Sequence, residues 1–219
     1  MISIKEIGSL IRKEFLIEFR EKYALGGILL YVATSVFIVM VAFGELEPEY
    51  WNLIFWILFL FASINAVLKS FVRESEQRYL YYYTLTHPVN LLFAKVLYNA
   101  FLLCLIGCLL MFALSIIAGN PIISFDIFFL AILMGSISLS LTFTFISSIA
   151  IKADNSATLL AILGFPLTIP IFINLIDLSG IALGLTLDEN ILDEVTILAS
   201  IELLLCGAGM LLFPYLWRS

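Results

Sequence analysis

The chain has 219 residues, of which 63% are hydrophobic and only 13% charged, and its mean hydropathy is +1.12. A soluble domain carries about a quarter charged residues, so this composition excludes a water-facing globule and fits a chain whose apolar surface lies in lipid. At about 20 residues per crossing the length holds about six spans, leaves no room for a nucleotide-binding domain, and contains no Gly-rich phosphate loop.

Residues 1–22 are charged but patterned. Ile4, Ile7, Ile11, Phe15 and Phe19 recur at helical spacing, with Lys5, Arg12, Lys13, Glu14, Glu18 and Lys22 largely elsewhere around the helix. This predicts an amphipathic helix in the headgroup region. Its length and its glutamates exclude a cleavable signal peptide. A transmembrane domain over 23–219 follows, with spans at about 23–43, 51–71, 91–118, 127–151, 157–176 and 195–217. Residues 177–194 are too acidic to cross, and Ile181, Leu183, Leu185 and Leu187 predict a segment resting on the outer membrane surface. The fold class is all-α, polytopic, with six transmembrane helices behind an interfacial amphipathic helix.

Orientation follows from the cations. Lys5, Arg12, Lys13, Arg20 and Lys22 precede the first span; Lys69, Arg73, Arg78 and Lys95 border the loop after the second. Lys152 follows the fourth and Arg218 ends the last, which accounts for all eleven Lys and Arg. The opposite side carries only acids: Glu45, Glu47, Glu49, Asp126, Asp177, Asp188, Glu189, Asp193 and Glu194. The positive-inside rule therefore predicts a multi-pass protein with both termini cytoplasmic.

Catalysis finds no support. The sole histidine, His87, lies in a cytoplasmic loop, and neither HExxH nor G-x-S-x-G occurs, so no catalytic residue and no metal site is expected. Cys104, Cys108 and Cys206 lie in apolar stretches and read as packing residues. Ser136, Ser140, Thr144 and Ser148 form a four-residue stripe suited to close helix packing, and Asn65, Asn99 and Asn174 are candidates to bridge helices.

Three stretches are candidates for function. In the second cytoplasmic loop, charges at Arg73, Glu74, Glu76 and Arg78 precede Tyr79, Tyr81, Tyr82 and Tyr83, and His87-Pro88 closes the segment. Such a short helix suits an aromatic face seated in a partner groove with charges at its rim; an interfacial aromatic belt is the competing reading. In the fifth span, Pro166 and Pro170 each remove a helical hydrogen bond and mark a bend or gate. Glu202 is an acid inside the last span, where it needs pairing, hydration or protonation.

Taken together these segments resemble the haem exporter protein B (CcmB) family, the permease subunit of the cytochrome c maturation ABC transporter. The resemblance rests on Glu14, Glu18 and Arg20 in the first helix, Trp56 and Ala62 in the second span, and the charged loop opening at 71–76 and closing with Pro88, Ala94 and Lys95. Ser147-Ser-Ile-Ala150 and the ILGFPLTIP run at 162–170 complete it, the latter being its most specific piece. Gln77-Arg78-Tyr79-Leu80 departs from the Gly and acid-Leu pair that family members often carry there.

The resemblance implies an ABC-2-like permease paired with a separate cytoplasmic ATPase, a haem-handling membrane subunit with a small helper, and a haem chaperone. It implies haem as the cargo of the system, ATP used only through the partner, and a bacterial inner (plasma) membrane location. An ATPase dimer has two faces, so two permease copies are expected, and no nucleic acid. The loop with Arg73, Glu74, Glu76, Arg78, Tyr81, Tyr82 and Pro88 would be the ATPase contact. The alternatives are a related permease exporting another small or lipidic molecule, and a non-transporting membrane scaffold.

Overall fold

The structure is a computed structural model and describes residues 4–20, 22–72, 88–150, 156–186 and 190–218. Within them the chain forms α1 (Ile4–Arg20), α2 (Lys22–Phe43), α3 (Pro48–Val72), α4 (Pro88–Ile117), α5 (Phe125–Ala150), α6 (Ser156–Ala182) and α7 (Ile191–Arg218). All of α2 to α7 are long and apolar enough to cross a membrane, which gives six spans and an all-α polytopic protein.

Local chemistry explains the ends. Pro48 and Pro88 open α3 and α4, where a helix has no use for the missing N–H. Gly44 and Gly119 follow α2 and α4 with φ of 70° and 88°, a left-handed geometry that stops a helix at little cost only in glycine. The connections at this end are knitted by backbone bonds: Leu46 N–H donates to Ala118 O at 3.2 Å, and the Ile123 and Ser124 amides donate to Ala182 O at 3.0 and 3.1 Å.

The fourth crossing, α5, is the hub. It packs on α3, α4, α6 and α7, and 61% of its spanning residues are buried inside the bundle, against 17% for α2 and for α7. Its partners explain why a helix made almost wholly of apolar and hydroxyl residues reads as uniform in sequence: it is wrapped on most sides. The core gathers Trp51, Phe55, Trp56 and Phe59 of α3 with Phe128, Ile132, Leu139 and Phe143 of α5 and Leu103, Ile106 and Leu110 of α4. Phe55 is sandwiched between Trp51 and Phe59, stacked on both, while Phe128 meets Phe55 edge-on at 5.0 Å.

Gly107 lets α3, α4 and α5 converge, since a Cβ there would stand 2.7 Å from Ile132 Cγ2 and 3.2 Å from Phe59 Cε2. Gly107→Val is therefore expected to overpack this junction and destabilise the chain by about 1–3 kcal/mol. Thermal denaturation of the purified protein in detergent checks it; a melting point equal to wild type would refute the close-packed junction.

The boundary after the fifth crossing differs from expectation. Residues 177–182 do not leave the bundle but complete α6, and Leu178, Ser179 and Ala182 are fully buried. A single acid near a helix end does not stop the helix when the residues beyond it have a core to bury into, and here that core includes the first turns of α3. A short turn at Leu183–Thr186 follows, with Gly184 donating to Ile181 O, and α7 begins at Ile191.

Candidate coupling site at the loop-bearing end

The loop singled out by sequence, with Arg73, Glu74, Glu76, Arg78, Tyr81 and Tyr82, lies outside the described residues. What the structure describes is how its two flanks are anchored. The loop leaves from the end of α3 and re-enters at Pro88, the first residue of α4.

The first turns of α4 are clamped by α1. Glu6, Leu10 and Glu14 are four residues apart and so share one side of α1. They meet α4 in the same order along both helices. Asn90 Nδ2 donates to Glu6 Oε2 at 2.7 Å; Leu10 is buried with Leu91 and Ala94; Lys95 Nζ stands 3.7 Å from Glu14 Oε1. Farther along, Phe15 sets its ring edge-on against Tyr98 and Phe101, with centroids at 5.3 and 5.2 Å.

The ionic part of this clamp is buried. Lys95 keeps 2% of its surface exposed and Glu14 keeps 8%. Lys13 reaches the same Glu14 oxygen at 3.0 Å from the rim. Neither burial was legible in the sequence. Glu14 falls on the polar side of the amphipathic pattern and Lys95 counts only as a cation beside the loop. Each is tolerated inside because the other is there. A polar–apolar–polar ladder of this kind fixes register, since a shift of one turn would leave Glu14 and Lys95 without each other.

The hydroxyl stripe of α5 continues the connection inward. Ser140 Oγ donates to Val96 O at 2.7 Å, and Thr144 Oγ1 accepts from Asn99 Nδ2 at 2.9 Å. Ser136 instead bonds its own helix at Ile132 O. Of the three asparagines expected to bridge, only Asn99 does so among the described bonds, because Asn65 and Asn174 donate to Phe61 O and Pro170 O of their own helices.

The remaining candidates lie elsewhere. Pro166 and Pro170 are inside α6, and both are exposed on its outward side while Thr168 and Ile171 between and beyond them are buried. Their rings thus face away from the described bundle. Glu202 of α7 accepts from Ser138 Oγ of α5 at 2.8 Å, so it faces the hub helix. Other acids of the crossing helices, Glu49, Asp126, Asp177, Asp193 and Glu194, lie toward the ends of their spans, away from the loop-bearing end. No cluster of His, Cys, Asp and Glu with metal-ligand geometry occurs among the described residues.

Sequence reasoning also missed a second joint, at the other end of α3. Asn52 Nδ2 donates to Ile176 O at 3.0 Å, Ser179 Oγ lies 2.7 Å from Asn52 Oδ1, and Trp56 Nε1 donates to Ser179 Oγ at 2.8 Å. The triad is buried and locks α3 to α6. The loop is therefore flanked by one helix tied to α6 at its far end and another tied to α1 and α5 at its near end.

The family model described as CcmB protein covers residues 5–209, nearly the whole chain and every element from α1 into α7. No curated protein matches the chain.

Proposed function

The chain belongs to the CcmB protein family, and on that premise we propose that it converts ATP hydrolysis by a separate cytoplasmic ATPase into movement of its transmembrane helices. As a family member it is the multi-pass permease component of a haem export system in cytochrome c maturation. In our reading the end bearing the loop faces the cytoplasm, because all eleven Lys and Arg lie at that end or between it and the first turns of the helices. The partner ATPase grips residues 73–87, with Glu74, Glu76 and Arg78 at the rim and Tyr81 and Tyr82 in its groove. Closure of an ATPase dimer, acting on two permease copies, then displaces α3 and α4. The outcome is release of haem-loaded chaperone on the far side, with the haem-handling subunit and its helper alongside.

The observation that carries this reading is the clamp of α1 on α4. A loop that merely connected two spans would need no buried ion pair at its exit. Here Glu6, Leu10 and Glu14 bind the helix that leaves the loop, so a push on the loop moves α1 and α4 as one body. Lipid-facing helices with no such joint would absorb the push by sliding.

The test is charge reversal of Glu74 and Glu76, with Tyr81→Ala and Tyr82→Ala as a second pair. Loss of hot-spot contacts of this kind is expected to lower permease-stimulated ATP hydrolysis by about tenfold or more. Haem staining of membranes for c-type cytochromes should fall with it. Wild-type ATPase association together with wild-type cytochrome c assembly in both pairs would refute the coupling role.

A further inference from the structure

A cleft of about 250 Å³ opens between α2 and α3, lined by Gly27, Ile28, Tyr31, Ala62, Asn65 and Ala66. It exists because small residues face each other there: glycine on one wall and two alanines on the other leave a gap that α4 does not reach to fill. At about 1.5 Å per residue, Gly27 and Tyr31 lie about 7 and 14 Å along α2 from Lys22, and Asn65 lies about 10 Å before the end of α3. The cleft thus sits one to two turns inside the loop-bearing end, at the depth where acyl chains join the headgroup.

We propose that this cleft binds an anionic phospholipid of the leaflet on the loop-bearing side. The leaflet assignment rests on the orientation argued for the permease. Three observations select this occupant. The lining is mostly apolar, which suits an acyl chain. Two polar groups stand within it, the Tyr31 hydroxyl, which donates to Leu58 O at 3.1 Å, and the Asn65 amide, which donates to Phe61 O at 2.9 Å. Both groups keep acceptor capacity after these bonds, and Asn65 is exposed, so a glycerol hydroxyl has partners there. Finally, Lys22 stands in the sequence five residues before Gly27 on α2 and Lys69 four residues after Asn65 on α3, each about a turn or a turn and a half along its helix from the lining. Cations at this depth favour an anionic headgroup.

Native mass spectrometry of the full chain in detergent tests this, with phosphatidylglycerol and phosphatidylcholine of identical acyl chains as probes. Wild type is expected to retain phosphatidylglycerol about fivefold better than phosphatidylcholine, the size of one favourable cation at a headgroup. Gly27→Leu, which fills the cleft, and Lys22→Ala/Lys69→Ala, which removes the cations flanking it in sequence, should each abolish that preference. Ala33→Leu, on the exposed side of α2, should keep it. Equal retention of the two lipids by wild type, or unchanged retention in both the cleft-filling and the lysine variants, would overturn the proposal. So would a dimer mass that collapses in Gly27→Leu at constant lipid count, which would make the cleft a seat for a second copy. ATPase association is read by pull-down in the same samples. Selective lipid binding without that association would uphold the cleft and sink the permease reading, while association without selectivity would do the reverse.

Discussion

Lys95→Met is expected to free α1 from the bundle, because it strands Glu14 as a buried carboxylate. Breaking a buried ion pair by removing one partner costs about 3–5 kcal/mol, more than the pair itself is worth. Lys13 stands 3.0 Å from the same Glu14 oxygen and offsets part of the loss, which places the expected cost in the lower half of that range. Removing both charges tests the argument. In Glu14→Leu/Lys95→Met no buried carboxylate is stranded and the face becomes apolar, so docking should return while Lys95→Met alone undocks. The readout is maleimide labelling of a cysteine placed at Leu10, which is 6% exposed and lies at the centre of the clamp. Strong labelling is expected in Lys95→Met and weak labelling in wild type and the double variant. Protection of position 10 in Lys95→Met would mean the apolar contacts hold α1 unaided, and the clamp would lose its role in coupling.

The same residues tell how far the sequence could be read. The six crossings and their cationic end were legible because hydrocarbon length and one-sided charge leave a signal in every span. The joints were not. Glu14 and Lys95 lie 81 residues apart, and a pattern read one helix at a time assigns each to a wet surface. The same limit hid the end of α6. An acid at 177 marks a boundary when only hydropathy is weighed, whereas Leu178, Ser179 and Ala182 beyond it are paid for by burial against α3. Asn65, Asn99 and Asn174 are alike in sequence, yet among the described bonds only Asn99 reaches another helix, at the Thr144 hydroxyl, while the other two bond carbonyls of their own helices. Hydropathy reports where a helix can sit. Which of its polar atoms cross to a neighbour is a property of pairs of helices.

Ser179→Ala should uncouple the protein without dissolving it. Ser179 is the centre of the joint between α3 and α6, since its hydroxyl accepts from Trp56 Nε1 and lies 2.7 Å from Asn52 Oδ1. Its loss leaves two buried polar groups short of a partner at once. Each such group costs about 1–3 kcal/mol, so about 2–6 kcal/mol is expected, well above the ~0.6 kcal/mol typical of a hydrogen bond between membrane helices. The difference arises because neither orphan has a replacement nearby: Trp56 is 1% exposed and Asn52 is 2% exposed.

The functional consequence follows from where the joint sits. α3 begins beside it and ends at the loop, so it is a lever fixed to α6 at one end and loaded at the other. With the joint loosened, the ATPase should still associate, because the loop and the α1 clamp are untouched. Haem staining for c-type cytochromes should nevertheless fall, and thermal melting of the purified chain should drop with it. Asn52→Leu/Ser179→Ala removes one of the two orphans and should recover part of the melting point. If it recovered cytochrome c assembly as well, stability alone would account for the defect. If assembly stayed low at the restored melting point, the hydrogen-bonded joint would be the part that carries movement from the loop to α6.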